Sequence, residues 1–224
     1  MRRWPLFAAI LYVILLFAPL FVVPPVPEVT ASGARLVAYF QLHGDAIHVV
    51  TWLSAWSMVP LVLLVASLRS RLEGIGRDVM LLGAAGLVTT TIVWSWINAG
   101  LALHPGTLDP HVARTAEDIG AYFGPVLTVS IILLIVPVGV AAWRGEGGLP
   151  RWLAWITAVF VAEQSIETIT IFGRRGFIAP GGPMNFTLGA GLYLVWVICA
   201  GAASSVDDRR VDERFELAPE VERA

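Results

Sequence analysis

The sequence predicts an all-α protein, a polytopic membrane helix bundle with six transmembrane helices. Of its 224 residues, 57% are hydrophobic and only 14% are charged, and the mean hydropathy is +0.74. Soluble domains carry far more charge than this. Six apolar runs occur, and runs of about 18 residues or more can cross a hydrocarbon core of about 30 Å. They lack the short alternating pattern of barrel strands, the other structure that crosses a bilayer.

Short connections join the six runs, which indicates a single bundle covering residues 1–203. The predicted spans lie at 5–23, 46–68, 79–103, 121–143, 152–172 and 185–203. The remaining segment, 204–224, is rich in charged residues. It is predicted to be a solvated cytoplasmic tail.

The first span begins after the basic sequence MRRW and ends at Pro24 and Pro25, where a helix cannot continue. The same arrangement, followed by the small-residue segment TASGA, resembles a signal peptide. The core of a typical signal peptide has about 7 to 15 apolar residues, and the stretch 5–23 is longer. We therefore expect the first span to be retained. The amphipathic stretch ARLVAYFQL that follows is expected at the membrane interface.

The next three spans contain features that are common in membrane helices. Pro60 in the second span and Pro137 in the fourth each remove a backbone donor and are expected to kink the helix. Ser95 and Asn98 add neutral polar groups to the third span, where such groups commonly form hydrogen bonds between helices.

The placement of arginines predicts the orientation of the bundle. The chain has no lysine, and all 15 basic residues are arginines. In this topology eleven arginines fall on the side that holds the N-terminus, and four fall on the other side. Positive residues are enriched on the cytoplasmic side, so both termini are predicted to be cytoplasmic. The absence of lysine also excludes a Schiff base to retinal or another carbonyl cofactor.

Two acids lie inside the fifth span, in the string AWITAVFVAEQSIETITIF. A carboxylate at the centre of a spanning helix costs about 2.5 to 3.5 kcal/mol on insertion scales, so it usually faces a bundle interior or a wet cavity. Glu163 and Glu167 are four residues apart and share one helical face, where two ionised carboxylates would repel. We expect one of them to be protonated or paired with a cation.

A second polar group opens the second span, where Asp45 and His48 are three residues apart. Counting by helix rise places His48 and Asn98 level with Glu167. The sequence therefore predicts an outward-facing polar cavity lined by the second, third and fifth spans. The predicted ligand-binding or proton-relay residues are Glu163, Glu167, Asp45, His48, Asn98 and Arg174.

Imidazole and carboxylate groups also suit zinc, iron or manganese, so Asp45, His48 and His104 form a candidate metal site. No HExxH motif and no pair of histidines four residues apart supports it. The alternative is that the histidines lie at the interface and bind carboxylates or water.

The loop GRRGFIAPGGPMN, between the fifth and sixth spans, contains Arg174 and Arg175. One interpretation is a shaped lid that binds an anionic group. The other is a tight external loop whose arginines bind lipid phosphates or pair with Glu163 or Glu167.

The sequence does not identify a cofactor, and it carries no sign of a nucleic-acid partner. It contains neither a P-loop nor a G-x-G-x-x-G loop. It also has no pair of mid-membrane histidines that would hold haem from two sides.

The last third of the chain resembles a family of uncharacterised bacterial, especially actinobacterial, multi-span membrane proteins. The resemblance is carried by LPRWLAWITAVFVAE and by FIAPGGPMNFTLGAGLYLVW. It implies a multi-span fold in the bacterial plasma membrane. It implies no reaction and no catalytic residue.

Three functions from different classes agree with these observations. The leading hypothesis is that the acids bind or transport a small solute, a cation or a proton. The second is a membrane-embedded, metal-dependent hydrolase or lipid-modifying enzyme, in which a glutamate activates metal-bound water. The third is an accessory or scaffold subunit whose buried acids bind a partner in a membrane complex. The sequence leaves open whether the protein is an enzyme.

Overall fold

A computed structural model describes residues 3–205, and this part of the chain is helical and contains no β-strand. The predicted all-α class is therefore confirmed for it. The eight α-helices are α1 (Trp4–Phe17), α2 (Pro19–Val22), α3 (Gly33–Arg69), α4 (Gly74–Leu103), α5 (Pro110–Ala121), α6 (Phe123–Arg144), α7 (Arg151–Glu167) and α8 (Ala190–Ser205). The predicted tail at 204–224 lies outside the described residues except for its first two positions.

Five helical segments are long and apolar enough to cross a membrane, counted over the described residues. They are Trp4–Val22, Gly33–Arg69, Gly74–Leu103, Pro110–Arg144 and Met184–Ser205. These segments are consistent with the predicted membrane helix bundle. The predicted fifth span contains α7, which has 17 residues and then tightens into a 3₁₀ helix at Thr168–Phe172. The count of six spanning helices therefore stays a prediction.

Two helices, α3 and α5, extend well outside the predicted spans. The second span was predicted at 46–68, but α3 starts at Gly33 and runs for 37 residues. At a rise of 1.5 Å per residue it is about 55 Å long, so one end projects beyond a hydrocarbon core. The amphipathic stretch ARLVAYFQL is part of α3 and not a separate interfacial segment. A short amphipathic helix, α5, also precedes the fourth span, and the apolar pattern alone did not predict it.

The long helices form a closed ring. α1 packs against α3 and α8, α4 packs against α3 and α6, and α7 packs against α6 and α8. Small residues allow close approach, as they commonly do between membrane helices. At Gly83 of α4, for example, an added Cβ atom would overlap the backbone of Leu134 in α6. The main hydrophobic core fills the centre of the ring and includes Tyr12, Phe160 and Trp196.

The two ends of the ring are built differently. At one end, here called the Arg71 end, the Arg71 guanidinium donates to the carbonyl oxygens of Gly147 and Ser204, both at 2.8 Å. The first turns of α1 and the last turn of α8 meet at this end, where the Leu6 amide donates to Ser205 Oγ at 3.1 Å. At the opposite end, here called the α5 end, α3 and α5 pack around a smaller apolar cluster that includes Tyr39 and Phe40.

Candidate functional site

The buried acids lie on the interior face of α7, towards the α5 end. Buried residues recur along α7 at helical spacing, and this face packs against α6 and α8. Glu163 is 9% exposed and Glu167 is 4% exposed, while Gln164 between them is 1% exposed. A helix with this pattern turns its most polar segment into the protein because the opposite face is apolar.

Two side-chain amides hold the carboxylates in place. Gln164 Nε2 donates to Glu163 Oε2 at 3.0 Å and to Glu167 Oε2 at 2.5 Å, so one amide group bridges both acids. Asn185 Nδ2 donates to the other oxygen of Glu167 and to Thr170 Oγ1. We call these five residues, Glu163, Gln164, Glu167, Thr170 and Asn185, the acid cluster.

Asn185 joins the acid cluster to the preceding loop. Its Oδ1 accepts a hydrogen bond from the backbone N–H of Gly181 at 3.1 Å. Both polar ends of this side chain are therefore engaged, one by the loop and one by Glu167. The chain enters α8 through a π-helical turn at Met184–Gly189, a rare geometry that is frequent at functional sites.

Two glycines make room for the acid cluster. An added Cβ atom at Gly189 would overlap the carboxylate of Glu167. An added Cβ atom at Gly124 of α6 would lie 3.3 Å from Asn185 Nδ2, closer than an ordinary van der Waals contact. A residue larger than glycine at position 189 or 124 would therefore take space that the Glu167 carboxylate or the Asn185 amide occupies.

Two buried oxygens in the acid cluster lack a donor. Within the described part of the chain, Glu163 Oε1 and Gln164 Oε1 are buried and have no hydrogen-bond partner. Such a group loses its hydration without compensation, which costs about 1–3 kcal/mol and more for a charged group. Both unpaired atoms are acceptors, so the acid cluster has a deficit of donors or of positive charge.

No basic side chain compensates the acids. Across residues 3–205 the ion pairs are Arg77 with Asp78, Arg114 with Asp118 and Arg144 with Glu146. Arg174 and Arg175 are exposed in the loop after α7. The interpretation in which these arginines pair with Glu163 or Glu167 is therefore wrong for this structure.

The other predicted site residues lie elsewhere in the ring. Asp45 is exposed and His48 is half-buried on α3, a helix that packs mainly against α1, α4 and α5. Asn98 is buried, but its Nδ2 donates to the Trp94 carbonyl of its own helix at 3.0 Å. None of these three side chains, nor Arg174, is hydrogen-bonded to the acid cluster in the described residues. The acid cluster is built from α7, the 3₁₀ turn after it and the π-helical turn that leads into α8.

The predicted metal site also gains no support from the geometry. No group of three or more His, Cys, Asp or Glu side chains is placed to hold a metal ion in the part of the chain that the structure describes. Asp45, His48 and His104 accordingly do not form a metal-binding group in these described residues. Of these, Asp45 and His104 are exposed to the surroundings of the protein.

Sequence reasoning missed the amide residues of the acid cluster. Gln164 carries a local signal, because it lies three residues before Glu167 and shares its helical face. Asn185 carries none, since it is 18 residues from Glu167 and follows a loop of glycine and proline. Its role appears only when α8 is packed against α7.

The all-α fold and its five apolar helical segments are consistent with an integral membrane protein of the α-helical class. Comparison of the chain with family models, with curated proteins and with solved structures gives no match. The acid cluster and its surroundings are therefore the features of this protein that bear on its function.

Proposed function

We propose that the protein is a bacterial plasma-membrane protein that binds a small cation at the acid cluster and moves it across the bilayer. One observation carries the proposal. The buried carboxylates of Glu163 and Glu167 lie together without a basic partner in residues 3–205, and Glu163 Oε1 and Gln164 Oε1 have no hydrogen-bond donor there. Buried charges are normally paired with an opposite charge. A bound cation would supply both the charge and the contacts that the protein does not.

The position of the acid cluster sets the side from which a cation enters. Towards the Arg71 end, the next layer of the bundle contains Phe160 and Trp196, each 1% exposed, and Tyr193, which is 6% exposed. These large side chains pack together and close that direction. The acid cluster therefore exchanges its ligand with the α5 end, and passage to the other side requires this layer to move.

The arginines of the chain orient this pathway. Arg69, Arg71, Arg77, Arg144 and Arg151 lie at the Arg71 end, which also holds the start of α1 and the end of α8. By the positive-inside rule this end is cytoplasmic. The cation would then enter from the external side.

Flux measurements on protein reconstituted in liposomes test the proposal. The probes are the proton, followed with a trapped pH-sensitive dye, and sodium, followed with a radioactive tracer. We expect flux of one of them with the wild type, and background flux with Glu163→Gln and Glu167→Gln, because the neutral amide has the same shape and no charge. Glu73→Gln, which changes an exposed acid between α3 and α4, is the matched control.

The proposal fails if the Glu163→Gln/Glu167→Gln double variant conducts as well as the wild type. It also fails if the wild type neither conducts nor binds either ion. Size-exclusion profiles of each variant in detergent show whether a loss of flux reflects a loss of fold.

A further inference from the structure

We propose that the cation is a proton, held in common by Glu163 and Glu167, and that Gln164 determines this preference. This inference rests on the proposed function and specifies its ligand. It follows from the oxygen atoms that remain free in the acid cluster, from the position of the Gln164 amide and from the charges that face the acids.

The free oxygens are too few for a metal ion. Calcium takes about six to eight oxygen ligands and magnesium requires a near-ideal octahedron. Of the side-chain oxygens of the acid cluster, only Glu163 Oε1 and Gln164 Oε1 have no hydrogen-bond partner in the described residues. The other oxygens of the acid cluster already accept an N–H group, including both oxygens of Glu167. A metal would have to displace these donors, whereas a proton needs one oxygen to bind.

The Gln164 amide occupies the place that a shared metal would take. Its Nε2 lies 3.0 Å from Glu163 Oε2 and 2.5 Å from Glu167 Oε2, between the two carboxylates. An N–H donor in that position holds the acids together but carries no net charge. Two carboxylates kept this close cannot both ionise at ordinary cost, so one proton binds to the pair.

The charges on the packed elements do not change this result. Besides the acids, α7 carries only Arg151, and α6 carries only Arg144, both near the Arg71 end. The π-helical turn and α8 contribute Tyr193 and Cys199 as titratable groups. The 3₁₀ turn Thr168–Phe172 contributes none, and the arginines in the loop that follows are exposed. Within residues 3–205, no formal positive charge on these elements competes with the proton for the acid pair.

A bound proton also corrects the donor deficit. Binding forms an O–H bond between a proton from water and a carboxylate oxygen, and release reverses that single step. With Glu163 protonated, the acid cluster gains a donor on the residue adjacent to Gln164, whose Oε1 is a buried acceptor without a partner. The bound proton alone lowers the charge of the pair from two negative charges to one, and the neutral bridging amide leaves that charge unchanged.

Infrared difference spectroscopy on the full protein in lipid nanodiscs tests the inference, with pH and sodium chloride as the variables. We expect a protonated carboxylic C=O band corresponding to about one proton per protein, as for a coupled pair. The band should disappear in Glu163→Gln and in Glu167→Gln and persist in Glu73→Gln. Added sodium at constant pH should leave the wild-type band unchanged.

Gln164→Ala supplies the test of specificity. Removing the amide frees two carboxylate oxygens and the space between them, so sodium should now compete and weaken the band at constant pH. A purely structural role for Gln164 would alter stability without creating this sodium dependence. Ser165→Ala, on the exposed face of the same helix, is the control.

The outcomes separate the inference from the proposed function. If sodium removes the wild-type band and binds saturably, the ligand is sodium; the inference is then overturned while the cation site stands. If neither a protonated band nor sodium binding is found, both are overturned. Should the glutamine variants fail to fold, the pH and sodium dependence of the wild-type band still decides between proton and sodium.

Discussion

The Arg71 end and the acid cluster satisfy their polar groups in opposite ways. At the Arg71 end, a charged guanidinium gives two N–H groups to backbone carbonyls that a helix end and a loop would otherwise leave unpaired. In the acid cluster, charged acceptors receive only neutral amide donors, and two buried oxygens receive none. The first arrangement stabilises the bundle. The second costs stability, and such departures from complete pairing are expected at functional sites.

The same contrast exists along α7 itself. One face of this helix holds Thr157 and, two turns further on, Gln164. Thr157 Oγ1 accepts from Trp196 Nε1 at 2.9 Å and donates to the Leu153 carbonyl at 2.8 Å, so it is fully paired. Gln164 Oε1 has no partner in the described residues. The buried polar groups of this helix thus include one that is fully paired and joins two helices, and one that keeps an unpaired acceptor.

Gly189→Ala should have the largest effect and would disrupt the acid cluster. The new Cβ atom overlaps the Glu167 carboxylate, so we expect a loss of cation flux and destabilisation by about 1–3 kcal/mol, as for other overpacked sites. Gly191→Ala is the control, because an added Cβ atom there has no neighbour within 4 Å. Flux and unfolding in detergent measure the two effects. Normal flux from Gly189→Ala would show that Glu167 does not need its observed position.

Arg71→Ala should separate stability from function at the other end of the bundle. It removes two charge-assisted hydrogen bonds from a half-exposed side chain, which we expect to lower the free energy of unfolding by about 1–2 kcal/mol. Flux per folded protein should not change, because Arg71 lies at the end of the bundle opposite the acid cluster. Arg69→Ala, at an exposed position two residues earlier, is the control. A loss of flux in stable Arg71→Ala protein would contradict the division between the two ends.

Thr157→Val should have the smallest effect and sharpens the comparison within α7. The change keeps the shape of the side chain but leaves Trp196 Nε1 without its acceptor, so we expect the free energy of unfolding to fall by about 1 kcal/mol. Proton binding at the acid cluster should remain. Unfolding in detergent measures the first effect, and the carboxylic infrared band measures the second. Disappearance of that band would mean that Thr157 belongs to the site.

Much of the acid site could be anticipated from residue type, and part of it could not. The cost of a carboxylate in an apolar run pointed to Glu163 and Glu167, because that cost is a property of each residue and its neighbours in sequence. His48 and Asn98 were predicted to match Glu167 in depth along their helices. Depth does not say which helices are neighbours, however, and the ring places α7 between α6 and α8.

Helix boundaries show the same limit. Hydropathy summed over about 20 residues locates a span but is insensitive to where the helix changes its geometry. The 3₁₀ turn that follows Glu167 lies inside the predicted fifth span, and the π-helical turn that starts at Met184 begins one residue before the predicted sixth span. These two turns bring Asn185 and Thr170 to the Glu167 carboxylate. The turns are required only by the packing of α8 on α7.

The sequence by itself determined the class of this protein, because composition and the length of apolar runs decide whether a chain can be solvated by water or by lipid. It also determined that two acids are buried at a cost, since few neighbours in sequence can compensate them. The tertiary structure decided what surrounds those acids. Whether a carboxylate meets an arginine, an amide or an unpaired oxygen depends on residues far apart in the chain, which only the closing of the helix ring brings together.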